Sequence, residues 1–181
     1  MLSLLIDNDV LIKCACYALL DEIRPPGDGD SKVGVLGAAR FVVAGYLAKR
    51  GRINERASAQ RRFSAYIQTA LVLEPTEEEL TLATGIEEMA IQQGVDLDSG
   101  ESQLCAIAIF RVIPLLLTGD KRAICGAETL QQQISALSSL RSRVVCLEQA
   151  IRGITNRIGA LAARRTGNAG VESRGARDAE R

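Results

Sequence analysis

Short apolar runs alternate with longer stretches of helical periodicity over most of the chain. An apolar run bounded by polar or turn residues is typical of a buried strand. Such runs occupy residues 2–6, 71–73, 113–118 and 143–147. The stretches between them predict helices at about 10–23, 33–50, 54–70, 76–93, 101–111 and 148–164, and the pattern also allows a short strand near 33–36. Strands separated by helices predict an α/β fold with a parallel sheet covered by helices on both faces.

The ends of two predicted helices carry local signals. Asn8 or Asp9 is a candidate cap for the first helix. Thr76 and Glu79 form a capping box that opens a later helix, and Gly94 is placed to end it. These signals support helices at those places independently of the apolar pattern.

The composition of the chain changes after about residue 150. Residues 1–150 are expected to form one domain, since 181 residues favour a single core. Residues 151–165 are predicted to form a helix that packs on this domain or extends it. Residues 166–181 are rich in Gly, Ala and Arg, have little to bury, and are predicted to be disordered.

The chain contains no His, and aromatic residues make up only 3% of it. The absence of His excludes Ser-His-Asp and Cys-His catalysis, His-ligated zinc and imidazole acid–base chemistry. The scarcity of aromatic rings argues against a base-stacking platform for single strands. Carboxylates are the most abundant ligands that remain, so Mg²⁺ or Mn²⁺ is the expected metal.

The cysteines and the amino-terminal apolar run bear on the compartment. Five cysteines form no C-x-x-C pair and lie mostly in apolar runs, which predicts reduced thiols in the core. The run at 1–6 is too short for a signal peptide or a membrane span. We therefore expect a cytoplasmic protein with no membrane contact. Its formal net charge is +0, so any binding of nucleic acid must rest on local patches.

Carboxylates follow two of the predicted strands. Asp7 comes directly after the first strand, and Asp120 comes two residues after the strand at 113–118. If these strands are parallel and adjacent, both side chains lie at the carboxyl edge of the sheet, where open α/β sheets bind ligands. Asp9 and the Thr118 hydroxyl are further candidates at that edge. The alternative is that each Asp only caps the helix after it and that Thr118 is a turn residue.

Glu101 is a third carboxylate candidate. It begins the apolar face of the helix at 101–111, where a charged group is costly without a cation or hydrogen bonds. The alternative is a first-turn Glu that only complements the helix dipole. Asp98, three residues earlier, is either the cap of this helix or an additional metal ligand. Several carboxylates at one edge would raise one another's pKa, and a bound divalent cation would relieve this.

Three segments that contain these carboxylates resemble the PIN-domain family of metal-dependent ribonucleases in their order and spacing. They are LLIDNDVL at 4–11, LDSGESQLCAIA at 97–108 and LLLTGDK at 115–121. The resemblance covers roughly residues 1–150. It implies hydrolysis of RNA phosphodiester bonds with Mg²⁺ or Mn²⁺. Many bacterial members are toxins of toxin–antitoxin pairs, so an antitoxin protein is an implied partner, and a homodimer is compatible with the sequence.

The resemblance gives the carboxylates roles. It implies Asp7, Glu101 and Asp120 as catalytic and metal-binding residues, with Asp98 and Asp9 as further metal ligands and Thr118 as a supporting residue. The chain departs from the family in one respect. The family usually carries another acid in the stretch corresponding to residues 33–49, which here contains no Asp or Glu. Asp9, Asp98 or an acid of the 77–79 run substitutes for it, or metal binding is weakened; the 77–79 run is otherwise expected to be an exposed first turn.

Basic residues concentrate between residues 49 and 62. The nucleic-acid-binding candidates in this stretch are Arg50, Arg52, Arg56, Arg61 and Arg62. Such a segment could contact phosphates without reading sequence. An exposed helix face explains the same charges equally well.

Two other functions are compatible with the sequence. The missing acid allows a catalytically inactive PIN-like protein that serves as a binding or scaffold module. The Asp7-x-Asp9 pair also resembles the opening motif of haloacid-dehalogenase-type phosphatases, although Glu101 has no role there. Activity on small phosphate esters and none on RNA would favour the phosphatase.

Overall fold

The computed structural model describes residues 1–23, 31–49, 53 and 55–159. The strands are β1 Leu2–Ile6, β2 Lys32–Leu36, β3 Leu71–Leu73, β4 Leu115–Thr118 and β5 Val144–Cys146. The α-helices are α1 Asn8–Cys16, α2 Ala39–Lys49, α3 Arg56–Thr69, α4 Glu77–Gln93, α5 Ser99–Phe110, α6 Lys121–Leu130 and α7 at 147–159. Two 3₁₀-helices span Leu20–Glu22 and Ser135–Leu140.

The five strands form one parallel sheet in the order β3-β2-β1-β4-β5. β1 is the central strand, and Leu4 to Ile6 pair in register with Leu115 to Leu117 of β4. The carboxyl ends of β1 and β4 therefore lie side by side. The adjacency that the site hypothesis requires is present.

Both faces of the sheet are buried. Leu5 and Leu116 belong to a core cluster that also contains Ile86 of α4, Ile107 of α5 and Leu130 of α6. Side chains alternate along a strand, so Leu4 and Ile6 face the opposite side of the sheet from Leu5, and both are also buried. The helices α1, α2 and α3 pack together, and α1 contacts β4. The predicted α/β class, a parallel sheet flanked by helices, is confirmed.

One predicted element differs from the structure. The first helix ends at Cys16 instead of running to residue 23, because Ala18 adopts a left-handed conformation with φ of 56° and a separate 3₁₀ turn follows. The prediction for residues 33–50, mostly helix with a short strand near 33–36, is confirmed, since β2 spans Lys32–Leu36 and α2 spans Ala39–Lys49. The last three residues of β2 are buried, as in an inner strand of a parallel sheet.

Contacts within the chain divide it after Leu147. The first unit, Met1–Leu147, contains all five strands, and the described part of the second unit, 148–159, is helical. The tail predicted to be disordered, 166–181, lies outside the described residues, as does the loop predicted at 24–30. Among the helices that are described, none is both long enough and apolar enough to cross a membrane.

Candidate metal centre

Asp7 lies at the carboxyl end of the central strand. Its backbone N–H donates to the Leu117 carbonyl at 3.0 Å, which continues the pairing of β1 with β4 by one residue. Its side chain caps α1 and accepts a hydrogen bond of 2.6 Å from the backbone N–H of Asn8. Asp7 is therefore the cap of the first helix, as the alternative interpretation of this residue predicted, and Asn8 and Asp9 are not. Asp7 thus caps α1 and also lies at the carboxyl edge of the sheet.

Asp98 and Glu101 form a reciprocal capping box at the start of α5. The Asp98 carboxylate accepts the Glu101 N–H at 2.8 Å, and the Glu101 carboxylate accepts the Asp98 N–H at 3.0 Å. This is the pairing that an acid at the cap and a Glu three residues later produce. The expectation that Asp98 caps the helix is confirmed, and the Glu101 carboxylate is held next to the backbone of Asp98.

The Glu101 side chain lines a small, mostly apolar pocket between α5, β4 and α6. Other residues of this pocket are Leu97, Leu104, Cys105, Leu116 and Thr118. Burial and, to a smaller extent, the negative charges of nearby Asp residues raise the pKa of Glu101 to about 7, against the opposing hydrogen bond from the Asp98 N–H. Burial also raises the pKa of Cys105 to about 12, so this thiol stays protonated at neutral pH and is not available as a thiolate ligand.

The turn from β4 to α6 positions Asp120. The buried Thr118 hydroxyl accepts the Asp120 N–H at 3.1 Å, and the Asp120 side chain caps α6. Both carboxylate oxygens are bound by Arg122, whose Nη2 donates at 2.7 Å and whose Nε donates at 3.2 Å. Because of the guanidinium, the pKa of Asp120 lies below its ordinary value. The Asp120 carboxylate is thus already paired with a positive side chain of the same protein, that of Arg122.

Asp9 reaches the same turn from α1. A methyl group at Gly119 would collide with the Asp9 carboxylate, so the missing side chain of Gly119 makes room for it. The Asp9 carboxylate forms an ion pair with Lys13 one helical turn later. Asp9 therefore lies at the β4–α6 turn, although it does so from the first turn of α1 and not from an extended segment, and its carboxylate is paired with Lys13.

The carboxylates act on one another electrostatically. The pKa of Asp7 is raised mainly by burial and further by the charges of Asp9 and Asp98. The pKa of Glu101 responds to Asp98, Asp7 and Asp120. Side chains from three distant stretches of chain therefore share one electrostatic environment at the sheet edge.

This donor set consists of oxygen atoms, the ligands that Mg²⁺ and Mn²⁺ prefer. The raised pKa values of Asp7 and Glu101 indicate that burial and the neighbouring carboxylates disfavour the ionised form of both groups, which a bound cation would restore. As placed, however, no three Asp, Glu or Cys side chains among the described residues are arranged to hold a metal ion. The donors fit a hard cation in kind, and Asp120 would have to release Arg122 to bind one.

Comparison with known proteins finds similarity in the fold. No family model and no curated protein matches the chain. PAE2754 from Pyrobaculum aerophilum has a TM-score of 0.54 and 14% identity, over 86% of this chain and 96% of that one. VapBC2 from Rickettsia felis, solved with a DNA fragment from its promoter, has a TM-score of 0.50 and 8% identity, over 81% and 98%. FitAcB from Neisseria gonorrhoeae has a TM-score of 0.45 and 14% identity, over 69% and 93%.

PAE2754 and VapBC2 are PIN-domain proteins. The chain has a PIN-like fold. At 14% and 8% identity, the structural similarity to these two proteins establishes the fold and nothing finer.

The acid missing from residues 33–49 of this PIN-like chain is not replaced by Glu79, the buried member of the 77–79 run. Glu79 is 2% exposed and bound by Arg111 through two hydrogen bonds of 2.7 Å. The expectation that this run is an exposed first turn is therefore wrong for Glu79. Arg111 follows Glu101 by ten residues, about 15 Å along a helix, so Glu79 lies at the far end of α5.

Three of the five predicted RNA-binding arginines lie in the described part of the chain, and each of the three donates a hydrogen bond within the protein. Arg62 donates to the carbonyls of Ala15 and Cys16 and so caps the end of α1 that is remote from Asp7. Arg56 donates to a backbone carbonyl, and Arg61 donates to a neighbouring serine. Arg50 and Arg52 lie outside the described residues.

Sequence reasoning missed three residues next to the carboxylates, namely Lys13, Gly119 and Arg122. Lys13 follows Asp9 by four residues, a helical spacing that predicts an ion pair, so this contact was detectable. Arg122 follows Asp120 by two residues and was hidden by the assumption that the carboxylate points towards a metal. The role of Gly119 depends on the approach of α1 to the β4–α6 turn, which only the folded chain shows.

Proposed function

We propose that this protein is a divalent-metal-dependent ribonuclease that hydrolyses RNA phosphodiester bonds. The observation that carries the proposal is the parallel pairing of β1 with β4, which places Asp7 and the turn with Asp120 at one edge of the sheet, where the charges of Asp7, Asp98 and Asp120 also raise the pKa of Glu101. A cluster of this kind with a pKa raised to about 7 is typical of a functional site.

The residues divide the work as follows. Asp7, Glu101 and Asp120 would hold Mg²⁺ or Mn²⁺, with Asp9 and Asp98 as additional donors. When bound, such a cation activates a water molecule and neutralises charge on a phosphate. The Asp98 N–H orients the Glu101 carboxylate, and the Thr118 hydroxyl shapes the turn that carries Asp120.

The test is cleavage of single-stranded RNA by the purified full chain in Mg²⁺ or Mn²⁺. Asp120→Asn should abolish cleavage and leave the circular dichroism spectrum unchanged, because Asn also caps helices well. Asp21→Asn, at an exposed Asp of the Leu20–Glu22 turn, is the matched control and should cleave as the wild type does. Cleavage that survives Asp120→Asn or a chelator would refute the mechanism.

The same assay separates the alternatives. RNA binding without cleavage in either metal would favour an inactive binding module. Hydrolysis of p-nitrophenyl phosphate without cleavage of RNA would favour the phosphatase. Both substrates should therefore be measured on the same preparation.

We also propose that the protein is the toxin of a toxin–antitoxin pair, as the similarity to VapBC2 suggests. An exposed apolar surface on α2 supports a protein partner, since Phe41 is 69% exposed and Val42 is 50% exposed.

The product of an adjacent small gene should form a complex with the chain and, when the two are expressed together, relieve the growth arrest that the chain causes alone. Phe41→Asp should prevent both effects. Sedimentation of the isolated chain as a dimer that Phe41→Asp dissociates would assign this surface to a second copy instead.

A further inference from the structure

Arg122 binds Asp120 as completely as one side chain can. Its Nη2 and Nε donate to the two carboxylate oxygens, and its backbone N–H donates to Oδ1 at 2.8 Å. Its Nη1 also lies 3.4 Å from the Asp96 carboxylate. A bidentate guanidinium thus occupies both oxygens that a metal ion would use.

The Arg122 side chain is nevertheless free to leave. It is 72% exposed, while the Asp120 side chain is 30% exposed. An ion pair this open to water contributes little to stability because solvent screens it. A divalent cation can therefore displace the guanidinium without any change in the core.

A displaced Arg122 would remain at the site. It lies on the first turn of α6, two residues from Asp120, and its planar fork matches a phosphate as well as a carboxylate. Glu101 and Asp96 also act on its charge, so the guanidinium stays within the field of the acidic edge. If a metal ion at this edge binds a phosphate group, the displaced guanidinium of Arg122 would bind the same phosphate.

We propose that Arg122 is an internal counter-ion that occupies Asp120 in the metal-free protein and passes to an RNA phosphate when a divalent cation takes the carboxylate. This inference rests on the proposed function. It predicts that Arg122 has opposite effects on the binding of the two ligands. Arg122 competes with the metal, and it assists the binding of RNA.

The first measurement is the affinity for Mn²⁺ alone, by calorimetry, without RNA. Arg122→Gln should bind Mn²⁺ about two- to fivefold more tightly than the wild type, because the competing guanidinium is gone. Arg122→Lys should fall between the two, since an ammonium pairs with a carboxylate at only one point. An affinity for Mn²⁺ that is unchanged or lower in Arg122→Gln would overturn the competition.

The second measurement is the binding of a 2′-O-methyl single-stranded oligonucleotide in saturating Mn²⁺, followed by fluorescence anisotropy. Arg122→Gln should bind it more weakly, and the logarithmic salt dependence should become shallower by about 0.7, the value for one lost phosphate contact on a single strand. A salt dependence equal to that of the wild type would overturn the phosphate contact.

Arg141→Gln is the matched control for both measurements. Arg141 is exposed and lies before the amino end of β5, at the opposite edge of the sheet. Its loss removes the same charge and should change neither the Mn²⁺ affinity nor the salt dependence. A salt effect as large as that of Arg122→Gln would mean that the oligonucleotide reports net charge only, and it would overturn the phosphate contact.

The two proposals fail in distinguishable ways. If the wild type binds Mn²⁺ and cleaves RNA but Arg122→Gln behaves identically, only the role of Arg122 is lost. If no variant binds Mn²⁺ and the wild type cleaves no RNA, both proposals fall. Circular dichroism of each variant shows that the comparison is made between folded proteins.

Discussion

Glu101 is held by the backbone of Asp98, and its half-buried carboxylate lies beside an apolar pocket. The hydrogen bond from the Asp98 N–H favours the ionised form, but burial and the neighbouring carboxylates outweigh it, so the pKa rises to about 7. In the absence of a metal the fold therefore favours a protonated Glu101. Ionisation of Glu101 at its place in the fold should therefore lower the free energy of unfolding, which can be measured.

Glu101→Gln should remove that conflict. Because the pKa of Glu101 in the folded protein is above its ordinary value of 4.5, the stabilisation from protonation is complete below pH 4.5 and is lost as the pH rises through about 7. Gln still completes a capping box. In EDTA at pH 8, Glu101→Gln should exceed the wild type by about 1 kcal/mol, a value reduced because the carboxylate is partly exposed. Thermal unfolding at pH 4, 6 and 8 measures this.

Glu88→Gln provides the control, since Glu88 is exposed on α4. It should leave the difference between pH 4 and pH 8 as in the wild type. Added Mn²⁺ should stabilise the wild type at pH 8 more than Glu101→Gln, because ligand binding to the folded state raises stability. A Glu101→Gln protein that is less stable than the wild type at pH 8 in EDTA would contradict the placement of this carboxylate.

Arg111→Met should destabilise the protein strongly without touching the candidate metal centre. The change leaves the buried Glu79 carboxylate without its two hydrogen bonds, which costs about 3 kcal/mol. Arg111 lowers the pKa of Glu79, so the pair stabilises the fold above the ordinary pKa of 4.5 and this contribution is lost as the pH falls through the lowered value. Urea unfolding at pH 7 and pH 3 should show a large loss at pH 7 and a small one at pH 3.

Adding Glu79→Gln to Arg111→Met tests the same pair from the other side. The double variant should recover part of the loss at pH 7, because no charge remains buried and Gln can still accept the Thr76 N–H. Arg141→Met is the surface control and should change the urea midpoint little. Equal stability of the wild type and Arg111→Met at pH 7 would show that the pair is not buried in solution.

Much of the fold was predictable because the strands are short apolar runs between strong helix signals. The capping box of Thr76 and Glu79 and the ending of α4 at Gly94 were predicted and are present. β2 was predicted only as a short strand that the pattern allows near 33–36, since Lys32–Leu36 is continuous in hydrophobicity with α2 and periodicity alone cannot separate a buried strand from a buried helix. The register of β1 with β4 is a tertiary property that no local pattern contains.

The candidate site was predictable in its acids and not in its cations. Asp7, Glu101 and Asp120 were located from strand ends and from one helix face, because those signals are local. The pairing of Asp120 with Arg122 was not, since a charged residue on a first turn is ordinarily solvated. The contact of Asp9 with Gly119 depends on two elements that are distant in sequence.

Gly119→Ala tests whether Asp9 belongs to the metal centre. The added methyl group would occupy the space of the Asp9 carboxylate, which is partly exposed and can turn towards solvent. We expect a loss of stability of about 1 to 3 kcal/mol, since the Cγ and Cβ of Asp9 also lie 2.9 and 3.1 Å from the added methyl group and must shift with the carboxylate. The affinity for Mn²⁺ should fall as far as it does in Asp9→Ala. In the Asp9→Ala background, Gly119→Ala should have no further effect on Mn²⁺ binding, and an additive loss would exclude Asp9 as the cause.

Val112→Gly should stabilise the protein. Val112 ends the α5–β4 connection with φ of 50°, a left-handed conformation that a β-branched residue adopts at a cost, and its side chain is 71% exposed. Glycine adopts this conformation freely, but it also gains entropy in the unfolded chain, so the net gain should be about 0.5 to 1 kcal/mol. Val42→Gly is the matched control, because Val42 is exposed in α2 with helical geometry and the same change should cost about 0.5 kcal/mol. Urea unfolding of the two variants should therefore shift the midpoint in opposite directions, and a loss in both would show that residue 112 is not left-handed in solution.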